Sequence, residues 1–592
     1  MLSLLNTTFT NTLRQGFTLI GSLLSKLKAR STYFENQAGT KDTLKDLDSE
    51  GLLEKASIIT TPTAYSDGVL HSVKPEQTLG SELVTNGNFA TDSDWAKGTG
   101  WTISGGTANQ DGSNSILRQT SVTSTNTRVK VTFDLTNYGG SGALQIKFAP
   151  NIYPITLNGN GSYTVFTDGT NSINGDLQII ATGGFVGSID NVSVKEVINA
   201  DFTFTRNDAG TRVNASGNIE SVGVDLPRID YLGGTGSLLL EPEATNTATD
   251  SNDFTTGSIF ITSGNPGVDG GVLTSNQTTS PDGTNNAWKL VDSNNGNIGV
   301  TSFRFYSTNV TSGNFNTISL FVKKQGNNDW FYINVGGYDF PTNNTFFNIS
   351  NGTLGNVGAD VTASIDDYGN GWYRISVTFQ TTTDVQGAVQ LRLASSNGGQ
   401  SVLRDGTNGA YIYGLQAESH ATREYATSYI PTSGSVVTRA ADLALDAGSS
   451  DLINSTEGVL YLEVAALTSI NYFESITLSD GGPQNRIRFQ LLSILNKGAV
   501  QVQVGGVNQM FRNVDFTDIT DFNKVAIKYK QNDFSVWLNG VKIYTDTSGT
   551  IPTLSELNFS SGSNFNTFNG KVKCVAVFKE ALTDEELTAL TS

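Results

Sequence analysis

The stretch ADFTFTRNDAGTRVNASGNIESVGVDLPRIDYLGGTGSLLLEPEATN, residues 200–246, decides how the chain is read. Phe202-Thr203-Phe204-Thr205-Arg206 alternates apolar and polar side chains like a short strand, and Thr211-Arg212-Val213-Asn214 follows a turn at Asp208-Ala209-Gly210. Gly217 breaks the chain before Asn218-Ile219-Glu220. Pro227-Arg228-Ile229-Asp230-Tyr231 then leads through Gly233-Gly234 into Leu238-Leu239-Leu240-Glu241-Pro242. A connector this long without structure of its own would be unusual in a folded protein. The expectation is a small β connector module over residues 199–246 that fixes one sandwich relative to the next.

On either side the pattern is also β. Arg128-Val129-Lys130-Val131-Thr132-Phe133-Asp134-Leu135 and Ala143-Leu144-Gln145-Ile146-Lys147-Phe148 alternate with a period of two, and so do runs around Thr317–Lys323, Asp329–Val335 and Trp372–Phe379. Near the end, Lys524–Lys530 and Phe534–Leu538 flank a turn at Gln531-Asn532-Asp533, and Asn539-Gly540 makes a second tight turn into Val541–Tyr544. Thr583 with Glu586 three residues on spells a capping box for a last helix. Only residues 1–78 read as helical: Phe9, Leu13, Phe17, Ile20, Leu23, Leu24 and Leu27 keep three- and four-residue spacing, and Leu44, Leu47, Leu52 and Leu53 mark a second stripe over Thr43–Lys55. The fold class is therefore mainly β: tandem antiparallel β-sandwiches, or jelly rolls, with a short α-helical N-terminal region.

A chain of 592 residues exceeds one core, and length alone suggests about four domains. The division read from pattern is a helical N-terminal attachment region at 1–78, a jelly roll at 79–198, the connector at 199–246, a second jelly-roll sandwich with its junction at 247–442, and a last sandwich at 443–592. A net charge of −18 repels phosphate backbones, so nucleic acid is not an expected partner. The single cysteine, Cys574, excludes an internal disulfide and a cysteine-rich zinc site, and its alternating surroundings read as core. His71 and His420 lie far apart in the chain and leave little material for a histidine metal centre or a Ser-His-Asp triad. Neither a P-loop nor GxSxG nor HExxH occurs. Asp366 and Asp367 precede a turn composition and face opposite ways on a strand, which does not make a general acid–base pair. No run reaches roughly 18 apolar residues, so no membrane span is expected. The chain is expected not to be an enzyme and to have no catalytic residues.

These residues carry resemblances. The 200–246 stretch, and YATSYIPTSGSVVTRAAD at Tyr425–Asp442, look like modules of bacteriophage virion proteins, especially tail-fibre and head-fibre appendages. SPDGTNNAWKL, NGWYRISVTF and AYIYGLQAE match the same family. NGNF…W…W…GSIDNVSV resembles carbohydrate-binding jelly rolls, whose opening and closing strands lie side by side, often near a structural calcium. FNKVAIKYKQNDFSVWLNGVKIYTDT with FNGKVKCVAVFKEALTDEELTAL is similar to laminin-G/concanavalin-A-type domains.

The resemblance implies a virion structural protein assembled in the host bacterial cytoplasm, which the absence of a signal-peptide pattern fits. It implies docking onto other virion proteins through residues 1–78, non-catalytic binding of host-surface glycans, and a homo-oligomer, by family habit a trimer. The basic amphipathic leader also suits self-bundling or membrane-surface binding. By position, Asn88 and Asp190 are the candidate calcium ligands. Trp330, Tyr332, Tyr338 and Tyr368 are the candidate sugar-stacking aromatics, each weighed against core packing. The alternatives are a glycan depolymerase with accessory binding modules and a capsid-decorating protein without a specific ligand.

Overall fold

A computed structural model describes residues 51–592 except 67–68, 75–77, 124–128, 149–150, 158, 168–174, 199, 255–267, 270, 308–309, 311, 337–342, 384–386, 471–472 and 563–564. The helical reading of residues 1–50 lies outside the described residues. The chain is mainly β and divides into two units, one of Lys74–Ala200 and one comprising Met1–Val73 and Asp201–Ser592.

Lys74–Ala200 is a two-sheet sandwich. One sheet runs Asn151–Ile155, Ala143–Phe148, Leu177–Thr182, Ser115–Gln119, Ala96–Lys97; the other runs Gly161–Phe166, Val129–Thr136, Val186–Ile198, Thr107–Asp111, Trp101–Ser104. The alternation read in the sequence becomes alternation in burial along Val129–Thr136 and Ala143–Phe148. Phe89, Trp95, Trp101, Phe133 and Phe185 fill the space between the sheets. Thr78–Glu82 pairs with Val186–Ile198, so the opening and closing strands lie side by side.

In the larger unit, the second sandwich packs two six-stranded sheets over a core that includes Leu320, Phe331, Ile333, Phe347, Ile375, Val377, Leu391 and Ile412. The C-terminal sandwich sets a five-stranded sheet, ordered Val507–Asp515, Lys497–Val504, Arg486–Leu491, Ser475–Ser479, Glu556–Asn558, against a nine-stranded one. The helix Asp584–Thr591 begins at Thr583 with the expected capping box. Cys574 is fully buried.

Two segments read as separate from the last sandwich are strands of its nine-stranded sheet. Ala56–Ser66, placed by the sequence reading in the helical attachment region, pairs antiparallel with Gly570–Phe578 from Ala56↔Phe578 to Thr60↔Val575. The connector strand Ser237–Leu240 pairs with the other half of the same edge, Leu238↔Val572 to Leu240↔Gly570. An unpaired edge leaves backbone donors and acceptors open to other chains, and these two segments close it end to end. Helical character among the described residues of 51–78 is confined to Leu52–Lys55, because Ile58-Ile59-Thr60-Thr61 is β-branched and finds a strand to join.

The connector is held from inside by charge. Arg206, Arg228 and Arg439 are each 1% exposed or less. Arg206 pairs with Asp442 at 2.9 Å, Arg228 with Glu241 at 2.7 Å and also with Asp442, and Arg439 reaches Glu241 at 3.4 Å and Asp442 at 3.7 Å. Backbone carbonyls take further donors: Asp208, Val222, Gly223 and Leu226 for Arg206, Thr211 for Arg228, Pro242 and Ala440 for Arg439, while the Nε of Arg228 and of Arg439 are buried without a hydrogen-bond partner. Ser428 closes on Glu241 through its backbone N–H at 2.7 Å and its hydroxyl at 2.6 Å. Burial alone would raise the Glu241 carboxyl, but Arg228 and Arg439 hold it well below the usual carboxylate range. Gly210 faces this cluster, where a Cβ would stand 3.1 Å from Arg228 Cδ and 3.2 Å from Arg206 Nε.

Removing one member of a buried ionic group leaves the others uncompensated, at about 3–5 kcal/mol. Asp442→Ala is therefore expected to lower the calorimetric transition of the unit containing Asp201–Ser592 and leave that of Lys74–Ala200 in place. Gly210→Ala should move the same transition by less. An unchanged transition in Asp442→Ala would show that the cluster does not hold this unit together.

Candidate functional site

A cleft of about 260 Å³ opens where the connector, the hairpin Val361–Asp367/Trp372–Gln380, residues 425–429 and Lys571 of the Gly570–Phe578 strand come together. Strand register sets what the hairpin offers. Ser364 lies opposite Ser376 and Asp366 opposite Arg374, so these four share one face, and the adjacent Asp367 turns away to accept from Gly369 N–H at 2.7 Å. Tyr368 sits in the turn with its ring edge-on to Phe321, centroids 4.9 Å apart.

Most charges in the cleft are already matched. Asp230 accepts from Val213 N–H at 2.9 Å and pairs with Lys571 at 3.3 Å. Arg212 pairs with Glu220 at 2.7 Å, and Glu241 belongs to the arginine cluster. Arg374 donates to the Thr427 carbonyl at 2.7 Å and to Ser319 Oγ at 3.0 Å, while its Nε is buried without a hydrogen-bond partner. Burial pushes the Tyr368 hydroxyl up to about 12, with Arg374 pulling it down and Asp230 and Asp366 pushing it up, so it is a neutral donor at physiological pH. Asp366 is exposed and accepts from Ser364 Oγ at 3.1 Å; the Ser364 and Ser376 hydroxyls are 2.8 Å apart. What is exposed is the Asp366 carboxylate and the Ser364 hydroxyl, with the buried Ser376 hydroxyl behind Ser364 and the half-buried Tyr368 beside them, a set that exchanges hydrogen bonds with a polar ligand.

Beside Tyr425 stands Glu474. Burial and Glu474 together push the Tyr425 hydroxyl well above its ordinary value. Glu474 Oε1 accepts from Asn569 Nδ2 at 2.8 Å, but Glu474 Oε2 and Asn569 Oδ1 are both buried acceptors with no partner. Burial pushes the Glu474 carboxyl up to about 7. A proton on Oε2 gives the pair the donor it lacks.

The sequence-predicted residues do not come together as one site. Tyr332 is fully buried: its ring stacks on Phe346 at 4.8 Å, Arg392 lies over it, and its hydroxyl donates to the Gln400 carbonyl. It is a packing residue and has no face free for a sugar. Trp330 is half-buried against the same small cluster. Tyr338 lies outside the described residues. Tyr368, half-buried, is the one of the four on the cleft.

Asn88 and Asp190 lie on segments joined by the Val192 N–H to Gly87 carbonyl bond at 2.9 Å. Asn88 Oδ1 accepts from Ala90 N–H, and Asp190 Oδ1 from Asn191 N–H at 2.6 Å. Asp134 stands opposite Asp190 across the strands, with its oxygens accepting from Ser162 and Asn191. Calcium takes about six to eight oxygens. Among the described residues no group of three or more His, Cys, Asp or Glu side chains is placed to hold a metal.

Ser364, Ser376 and Arg374 escaped the sequence reading. Their signal was the parity of two adjacent strands, which becomes a site only once the register is known.

No family model matches the chain, and no curated protein does. Solved structures similar to parts of it include the CBM40 domain of the Ruminococcus gnavus IT-sialidase bound to α2,3-sialyllactose, at 14% identity, covering 25% of this chain and 94% of that one, TM-score 0.22. Domain 4 of the Geobacillus stearothermophilus GH43 arabinanase AbnA, in complex with arabinotriose, shares 14% identity, covering 29% and 84%, TM-score 0.21. Mouse laminin α1 domains LG4-5 share 10% identity, covering 45% and 85%, TM-score 0.18.

The raised Glu474 carboxyl fixes the sign of a pH effect. Below about 4.5 the group is protonated folded and unfolded and costs nothing; between about 4.5 and 7 the unfolded form ionises first, and stability falls by up to about 3 kcal/mol. Glu474→Gln, whose amide can donate to Asn569 Oδ1, is expected to flatten denaturation midpoints across that window and raise them at pH 8. An identical pH slope in the variant would show that Glu474 is not the titrating group.

Proposed function

We propose that this chain is a non-enzymatic glycan-binding protein of a bacteriophage particle, a tail-fibre or head-fibre subunit that holds host-surface sugars. The observation that carries the glycan reading is the pair of exposed groups in the cleft, Asp366 and the Ser364 hydroxyl backed by Ser376, beside half-buried Tyr368 and a mostly committed ring of charges. Sugars present a ring edge of hydroxyls that both donate and accept, and this set answers in both senses. The volume is slightly below the usual range for drug-sized ligands, which suits one sugar unit or the end of a chain.

Catalysis by a carboxylate pair would need one acid held protonated beside one free base. Here Asp230 is tied to Lys571 and Glu241 to arginines, which supports binding over hydrolysis. The virion placement rests on the sequence resemblance. The two resembling stretches, around 200–246 and Tyr425–Asp442, supply the two halves of one buried ionic cluster. Residues 1–78, which include the strand Ala56–Ser66, are the proposed attachment region. A homotrimer would multiply weak sugar sites into firm retention.

Purified full-length protein on arrayed bacterial surface polysaccharides is expected to bind saturably without releasing reducing ends. Asp366→Asn and Ser364→Ala should each weaken binding of the retained glycan by about tenfold. Release of reducing ends would sink the non-enzymatic reading in favour of a depolymerase. Neither binding nor release would favour a decorating protein.

A further inference from the structure

The C-terminal sandwich carries a second group of buried arginines, and it is built unlike the first. In the five-stranded sheet, Ile487, Phe489 and Leu491 point into the core, so Arg486, Arg488 and Gln490 occupy the opposite face. Register carries that face across the strands: Thr477, Arg488, Gln501 and Phe511 form one row, and Ser479, Arg486 and Gln503 the next. Arg486 Nη1 donates to the Ser561 carbonyl at 2.7 Å. Arg488 is only 9% exposed and has neither an ion pair nor a hydrogen bond among the described residues; its Nε and that of Arg486 are buried and unpartnered. Burial and the neighbouring Arg486 pull the Arg488 guanidinium down to about 10, which still leaves it charged at neutral pH.

The same face holds orphan acceptors. Gln501 donates to Asn508 Oδ1 at 2.6 Å and Gln503 to the Gly506 carbonyl at 2.9 Å, but both Oε1 atoms are buried with no donor. Phe511, at the end of the Arg488 row, is 47% exposed. Strands lie about 4.8 Å apart, so Phe511 stands roughly 10 Å from Arg488 across two strand spacings. An unpaired buried charge is costly, and among the described residues neither Arg486 nor Arg488 has an ion pair; the acid in register on this face, Glu556, stands opposite Ser479, two strand spacings from Arg486.

The missing partner is defined by what is unsatisfied. A bare phosphate or sulfate would serve the arginines but, having few or no hydrogens to give, would leave the glutamine oxygens unmet. A neutral sugar would serve the glutamines and leave the guanidiniums unmet. We propose that this sheet face binds a carboxylate-bearing sugar residue of an acidic glycan, with its carboxylate on Arg488 and Arg486, its hydroxyls donating to Gln501 and Gln503, and its ring over Phe511. This rests on the glycan-binding reading but uses residues separate from the cleft, and it names the chemical class that the cleft leaves open. Guanidinium forks match carboxylates bidentately, and aromatic faces accept sugar rings.

Titration calorimetry of the full-length protein with oligogalacturonate, and with its methyl ester as the uncharged twin, tests the site. The acid is expected to bind saturably and the ester at least about tenfold more weakly. Arg488→Gln should cost at least about tenfold in affinity for the acid while leaving the melting temperature unchanged or higher, which a structural arginine would not do. Arg488→Lys should recover part of the loss, since charge returns without the fork.

The proposal is overturned by equal binding of the ester, by undiminished binding in Arg488→Gln, or by no saturable binding of the acid. Arg488-dependent binding of a sulfated oligosaccharide but not of the acid also overturns it. If Asp366→Asn, and not Arg488→Gln, abolishes binding of the acid, the sheet-face site fails and the cleft reading stands. The reverse pattern, with no glycan held in the cleft, sinks the cleft reading and leaves this one.

Discussion

Three arginines sharing two carboxylates, out of water, are the constraint around which the larger unit is arranged. Arg206 and Arg228 come from the connector with Glu241, and Arg439 and Asp442 from the far side of the second sandwich, more than 190 residues along the chain. Such a cluster is weak evidence for net stability, because desolvating five charges offsets most of their attraction. Its value is geometric. A hydrophobic contact tolerates sliding, whereas a guanidinium fork that also serves the Val222, Gly223 and Leu226 carbonyls has one position in which every group is met. The cluster is not symmetric. Burial works against both guanidiniums: Arg228 holds the short pairs and is raised in spite of it, whereas Arg439 is lowered by its burial, being farther from the same two acids and beside another cation. The arginine in surplus of the carboxylates leans on the Pro242 and Ala440 carbonyls instead.

That fixed position explains how a connector becomes part of a sheet. Once Glu241 is anchored, the three leucines just before it are delivered to the edge of Gly570–Phe578, and Asp230 is carried to Lys571. The cleft is a by-product of the same arrangement. Glu241 of the structural cluster lines it, and its open rim is the outward parity of the Val361–Asp367 strand. Structure and candidate function therefore meet in one cleft, with the buried charges supplying rigidity and the exposed Ser364 and Asp366 supplying contacts.

What the sequence revealed was local. Alternation along Val129–Thr136, the turn at Gln531-Asn532-Asp533 and the Thr583/Glu586 cap are decided by neighbours within a few residues, and each stands in the structure as read. What it hid was pairing at long range. Ala56–Ser66 carried a β-branched signal, but nothing local says that its partner lies more than 500 residues on. Tyr332 shows the other limit. Alternation correctly sets Phe331 and Tyr332 on opposite faces, yet both are buried, because the outer face of that strand is itself covered by Phe346, Ala394 and Trp330. Period two identifies faces; it does not say which of them meets water. The arginines of the cluster were equally opaque, since Arg206 and Arg228 sit in runs that read as ordinary solvated turns and strand ends.

The two arginine groups of the larger unit separate structural from functional burial by a single criterion, compensation. Around Arg206 and Arg228 the chain has placed acids, carbonyls and a glycine that admits them, and each guanidinium has an ion pair inside the fold. Around Arg488 it has placed glutamines, threonine and a second arginine, and the acid on that face, Glu556, lies across Ser479 from Arg486 without an ion pair to either arginine. Selection for stability alone would have no reason to keep that second arrangement, because a methionine or glutamine at the same position removes an uncompensated charge at no packing cost. On a strongly anionic protein the long-range field also screens out indiscriminate polyanions, so that only a ligand able to settle each unmet group at close range gains from reaching it.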